Sequence, residues 1–321
     1  MRIWFKRLFT SSVIFALGVA LVVWSTWEPD RQLGKLVERW AQQPSAFIEL
    51  DGMQVHYRDV GPRDDTDPIV LMHGMSSSLH SFEVWQQVLS DRRRVITVDL
   101  PGFGLTGPSP QGEYRIEAYT RFTLRLLDAL NVKKVILGGN ALGGEIAWQT
   151  ALLAPDRVKA LILVDADGYK LSRFSQPIAF NIAGAKTLRW VSERILPRSI
   201  IASSVRNVFG DPEKVNDVLI DRYFELNLRV GNRRALFQRM DQAEPGARQD
   251  KIRLIKQPTL VLWGGQDRMV PVEWAHRFCE DISLCTKVIF LQLGHLPQEE
   301  APFMTLAPVK AFLRLTDQPA D

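Results

Sequence analysis

The chain has 321 residues, 46% of them hydrophobic, which is enough to bury one sizeable core, and a net charge of only +4. No Lys/Arg cluster is interleaved with stacking aromatics, so nucleic-acid recognition is not indicated. The two cysteines lack zinc-type spacing and no dinucleotide fingerprint follows a strand, so neither a metal nor an organic cofactor is implied.

In chain order, Arg2, Lys6 and Arg7 precede an apolar run from Leu8 to Trp24. Its length is near the ~20 residues that cross a bilayer as a helix. A secretory signal peptide has a similar start, but this run ends in Val22-Val23-Trp24-Ser25-Thr26-Trp27 without a small-x-small cleavage site. Residues 1–28 therefore read as an uncleaved transmembrane anchor, with Trp24 and Trp27 in the interfacial belt. Basic residues before the run, and Glu28 and Asp30 after it, put the N-terminus inside and the remainder outside. In a bacterium this is the periplasmic side of the inner membrane. Ser12, Ala16 and Ala20 form a small-xxx-small stripe along which two such helices can approach, a route to a homodimer.

Residues 29–45 read as a juxtamembrane amphipathic helix. From Arg31 to Gln43, the residues Leu33, Leu36, Val37, Trp40 and Ala41 share one face, suited to the membrane interface or to docking on the following domain. Asp51-Gly52 between Phe47–Leu50 and Met53–Asp59 is a hairpin signal. Strands and helices then alternate through Asp165, which predicts an α/β architecture with a mostly parallel sheet and crossover helices. The alternation breaks near Gly168 and resumes near Thr259. The interval 169–252 reads as a helical insertion, with helices over Ile178–Ala185, Leu188–Ile195, Ile200–Val208, Glu213–Leu228 and Arg233–Gln242. It divides a core formed by 46–168 and 253–321.

Five motifs carry the chemistry. The strand Lys134–Leu137 runs through Gly139-Asn140-Ala141-Leu142-Gly143 into a helix. Asp267 follows the strand signal at Leu262 and Trp263, and His295 follows one beginning at Val288. Upstream, Ile69–Met72 leads into His73-Gly74-Met75, and Val95–Val98 into Asp99-Leu100-Pro101-Gly102. In this order the set resembles the α/β-hydrolases of the esterase and lipase type, over roughly residues 46 to 314. The resemblance implies a nucleophile elbow at 139–143, with its nucleophile at position 141 and glycines 139 and 143 permitting the sharp turn. It further implies Asp267 as the acid, His295 as the base, and the backbone N–H groups of Met75 and Leu142 as an oxyanion hole. His73 is expected to brace its loop; His56, His80 and His276 carry no motif. Asp165 is an alternative position for the acid. The insertion falls where this family carries its lid.

The departure from the pattern is Ala141, where the elbow requires serine. Every other part of the apparatus is retained, so Ala141 reads as a Ser→Ala replacement and this chain as nearly inert. The serine parent is expected to be a membrane-anchored carboxylic ester hydrolase acting on lipid-like esters, similar to bacterial phospholipase A, lysophospholipase and monoacylglycerol lipase enzymes. The alternatives are a carbon–carbon hydrolase of meta-cleavage products and a natural non-catalytic lipid-binding protein. Cys279 and Cys285 are close enough in sequence to pair in an oxidising compartment and would stay free in the cytosol.

Overall fold

A computed structural model describes residues 27–170 and 193–315. The anchor segment 1–26, with its predicted helix and small-residue stripe, lies outside the described residues, as does the predicted lid helix Ile178–Ala185. Among the described residues no helix is long and apolar enough to cross a membrane.

The hairpin forms as β1 (Ser45–Leu50) and β2 (Met53–Val60), with Asp51 and Gly52 both at positive φ in the turn. Six further strands complete one sheet: β3 (Ile69–Met72), β4 (Val95–Val98), β5 (Val135–Asn140), β6 (Val158–Val164), β7 (Thr259–Gly264) and β8 (Cys285–Phe290). Their order is β1-β2-β4-β3-β5-β6-β7-β8, antiparallel at β1/β2 and β2/β4 and parallel thereafter. β3, β4, β5 and β7 are buried along their whole length. That burial explains their continuous apolar runs: helices cover both faces of a parallel sheet. Val70, Leu137, Leu163 and Val261 enter one core cluster, while Ile69, Leu71, Ile162 and Leu262 enter the cluster on the other face.

Three elements differ from their predicted form. β8 begins at Cys285, ahead of the strand signal at Val288, and ends at Phe290, five residues before His295. There the chain turns, with Leu291 exposed and the Leu293 N–H returning to the Phe290 carbonyl at 3.0 Å. The predicted helix Glu213–Leu228 is split. Pro212–Lys214 forms a single 3-10 turn, Val215 is extended, and Asn216 starts a new helix, Asp217–Asn227, by accepting from the Leu219 N–H at 2.9 Å. The end of the predicted helix Leu188–Ile195 is not helical at residues 193–195; Ile195 forms a β-bridge with Trp27. Two further helices between β6 and β7 run over Arg198–Val208 and Asn232–Gln242.

The amphipathic segment forms a helix over Leu33–Trp40 that docks on the protein rather than standing free. Leu36 and Trp40 are buried against Leu105 and Leu226, and Trp40 Nε1 donates to Glu225 at 2.7 Å. Cys279 and Cys285 form a disulfide between the helix Glu273–Asp281 and β8.

Candidate active site

The end of β5 turns sharply into the helix Leu142–Leu153, and Ala141 sits at the turn with φ 48° and ψ −113°. A residue with a side chain rarely adopts this backbone, and such strain persists where the surroundings fix it. The glycines are what permit it. A Cβ on Gly143 would lie 2.0 Å from the Met72 carbonyl oxygen, and one on Gly139 would lie 2.3 Å from the Gly143 carbonyl carbon. Gly143→Ala is therefore expected to lower stability by about 3 kcal/mol or more, checked by thermal unfolding, because the obstructing atoms are backbone.

The loop after β3 lies against the elbow. A Cβ built on Gly74 would meet Asn140 Oδ1 at 2.8 Å and the Ala141 methyl at 3.4 Å. Met75 follows directly, and Leu142 opens the helix after Ala141. Neither amide donates to another group among the described residues. His73 is fully buried and braces this loop: its Nδ1 donates to the Gly74 carbonyl at 2.6 Å, while its Nε2 accepts from the Leu100 N–H at 3.0 Å. Those two bonds fix a neutral tautomer, and burial lowers the pKa accordingly, against the pull of Asp99.

Asp267 and His295 meet across the ends of β7 and β8. His295 Nδ1 donates to Asp267 Oδ2 at 2.7 Å, and Asp267 Oδ1 accepts from the N–H groups of Met269 (2.6 Å) and Val270 (3.1 Å). The carboxylate is thus held by its own loop and aimed at the ring. His295 is anchored through its backbone. Its carbonyl accepts from Asn140 Nδ2 at 2.9 Å, and its N–H donates to the Val208 carbonyl at 2.8 Å. The elbow asparagine thereby ties nucleophile position and histidine together. Glu300 accepts from the N–H groups of Gly294, Gly210 and Asp211, pinning the histidine loop to the helical segment between β6 and β7.

Asp165, the alternative acid, lies beside this pair rather than replacing Asp267. Asp165, Asp267 and His295 each bring one polar atom within 4.8 Å of the others. Asp165 Oδ1 accepts from the Gly264 N–H at 2.8 Å. Burial, followed by the Asp267 charge, pushes its carboxyl well above the usual range.

Burial also works against charge on His295. The Asp267 carboxylate more than offsets this by charge and hydrogen bond, with Asp167 assisting, and the imidazole ends above the ordinary histidine value of 6.5. A raised folded-state pKa stabilises the fold fully below the unfolded value, and the gain is lost as pH rises through the folded one. By NMR the His295 imidazole is expected to titrate above 6.5, and Asp267→Asn is expected to bring that midpoint down.

Several groups in and behind the site are given no role by the sequence motifs. The Asp167 N–H donates to the Ala141 carbonyl at 3.1 Å, and burial raises its carboxyl, opposed by His295 and Arg239. Glu145, three positions beyond Leu142, is pushed up to about 7 by burial and by Asp167, with Arg239 3.7 Å away. Behind the Met75 loop, buried Asp99 accepts from His56 Nδ1 and from the N–H groups of Leu79 and Leu105, each at 2.7 Å. From the helix Asp217–Asn227, Asn227 Nδ2 donates to the Ser76 carbonyl at 3.0 Å, and Tyr223 pairs with Ser77 and Glu299.

A model of the α/β-hydrolase fold family matches residues 67–302, and the chain belongs to that family. It is 30% identical to the 2-hydroxy-6-oxo-2,4-heptadienoate hydrolase of Pseudomonas putida, covering 84% of this chain and 96% of that one. It is 26% identical to an uncharacterized hydrolase of Bacillus subtilis, covering 85% and 99%. Among solved structures, a membrane phospholipase A described as a bacterial virulence factor superposes with a TM-score of 0.73 at 23% identity over 98% of both chains.

Proposed function

We propose that the serine parent of this chain is a membrane-anchored carboxylic ester hydrolase acting on lipid-like esters by an acyl-enzyme route, and that Ala141 is a Ser→Ala replacement that silences it. The observation carrying the proposal is the 2.7 Å His295–Asp267 pair, assembled at the ends of β7 and β8 in the same sheet as a strained elbow with alanine at its apex. A serine at 141 would lose its proton to His295 and attack the ester carbonyl. Asp267 would hold the imidazole tautomer, and the Met75 and Leu142 amides would take the oxyanion. Water would then cleave the acyl-enzyme.

The lipid-like substrate rests on the apolar run Leu8–Trp24 and on the helical lid over the site. The Cys279–Cys285 disulfide suits an oxidising compartment, as the external side of the inner membrane is. A homodimer through Ser12, Ala16 and Ala20 belongs to the same proposal.

The Pseudomonas putida relative gives a second reading, carbon–carbon hydrolysis of a meta-cleavage product. Ala141→Ser assayed on lysophospholipid, diacyl phospholipid, monoacylglycerol and a dienoate meta-cleavage product separates the two. Turnover of the acyl esters supports the lipid reading; turnover confined to the dienoate overturns it.

A further inference from the structure

The chain leaves its apolar N-terminal run already fastened to the lid. The Glu28 N–H donates to the Arg194 carbonyl at 3.2 Å, and Trp27 bridges Ile195. Further on, the Arg31 N–H donates to the Leu228 carbonyl at 2.6 Å, and its carbonyl accepts from the Val230 N–H at 3.0 Å. Arg233 closes the seam, reaching Asp30 at 2.6 Å and the Glu28 carbonyl at 2.8 Å. Only Ser25 and Thr26 separate Trp24 from Trp27. At ~3.5 Å per extended residue, that step spans about 10 Å at most. There is no slack with which to carry the lid away from the plane where the apolar run ends.

The elements around this seam expose apolar side chains. Trp27, Ile200, Val218 and Val230, all on the segments joined here, are four of the ten large hydrophobic side chains exposed among the described residues. Ile200 and Val218 stand at the starts of the helices Arg198–Val208 and Asp217–Asn227. Those two starts are clamped together by Arg198, which pairs with Asp217 at 3.0 Å and Asp221 at 2.7 Å. The same helix Asp217–Asn227 carries Tyr223 and Asn227, which hold the loop of Ser76 and Ser77 beside the elbow.

We infer that the lid edge formed by Trp27, Ile200, Val218 and Val230 rests in the headgroup region of a lipid bilayer, so that the lid, and not the opposite side of the hydrolase core, faces the membrane. The inference rests on reading Leu8–Trp24 as an anchor. The occupant is a bilayer because the seam starts within reach of the end of that run. Apolar side chains at such an interface contribute by burying area among headgroups and acyl chains.

The test uses the full chain in phosphatidylcholine/phosphatidylglycerol vesicles containing doxyl-labelled lipid. Both cysteines of the sequence are in the disulfide, so single cysteines can be introduced and labelled with an environment-sensitive fluorophore. The variants are Ile200→Cys and Val218→Cys, with the similarly exposed Leu153→Cys and Leu254→Cys on the core as references. Groups seated in the boundary ~5–10 Å deep are expected to be quenched about twofold or more over the references. Flotation with equal quenching at all four positions overturns the docking edge while leaving the anchor intact. Failure to float with the vesicles overturns the anchor and the docking edge together.

Discussion

Ala141→Ser is expected to raise hydrolysis of p-nitrophenyl acyl esters by about four orders of magnitude or more over the chain with alanine. Removing the nucleophile alone from a comparable triad costs on the order of 10⁶ in rate, and the residual rate comes from binding and the oxyanion hole. The expected gain rests on the geometry around position 141. The turn at 141 already holds φ 48°, the Gly74 loop packs on the Ala141 methyl, and His295 is already paired with Asp267. His295→Ala in the serine background is expected to return the rate to the level of the alanine chain. Steady-state assays of the three proteins check both statements. Equal rates from the serine and alanine chains on every ester would favour a binding protein in which Ala141 is native.

The second large effect separates two carboxyls on neighbouring strands. In the serine background, Asp267→Asn is expected to lower kcat by about 10⁴, the cost of presenting the wrong imidazole tautomer to the nucleophile. Asp165→Asn is expected to cost far less. Asp267 is the group within hydrogen-bond reach of His295 Nδ1, and both its oxygens are engaged by donors. Burial and the Asp267 charge hold the Asp165 carboxyl well above the usual range, so an uncharged amide is the smaller change there. The pH profile adds an independent reading. Because the base must be neutral, turnover of the serine enzyme is expected to rise with pH through a midpoint above 6.5, and Asp267→Asn is expected to move that midpoint down.

The elbow and its partners were legible in the sequence because each is local. A strand, a turn and one polar residue lie within a few positions, and the fold supplies their order. The hairpin at Asp51-Gly52 and the parallel strands were legible for the same reason. The split at Val215 was less so, since the apolar period of Glu213–Leu228 fits one helix, and Asn216 becomes a cap only once Pro212–Lys214 has turned away. The strand signal past Phe290 failed similarly: Leu291 and Leu293 extend the apolar run, but Leu291 faces solvent on a turn.

Least legible were polar groups brought together from distant segments. His56 meets Asp99 only because β2 pairs with β4. Asp165 reaches Asp267 only because β6 pairs with β7. Asn140 shows a further limit. Its place in the elbow was evident, whereas its bond to the His295 carbonyl depends on where a loop more than a hundred residues later closes.

The central claim is that position 141 is the seat of a nucleophile activated by His295, and covalent capture tests it most directly. The Ala141→Ser variant, its His295→Ala derivative and the alanine chain would be treated with a fluorophosphonate bearing a long alkyl chain, then digested and analysed by mass spectrometry. The expected result is an adduct on the introduced serine, strong loss of labelling without His295, and no adduct at Ala141. A correctly folded serine variant that takes no adduct at position 141, or is labelled equally well without His295, would contradict the claim.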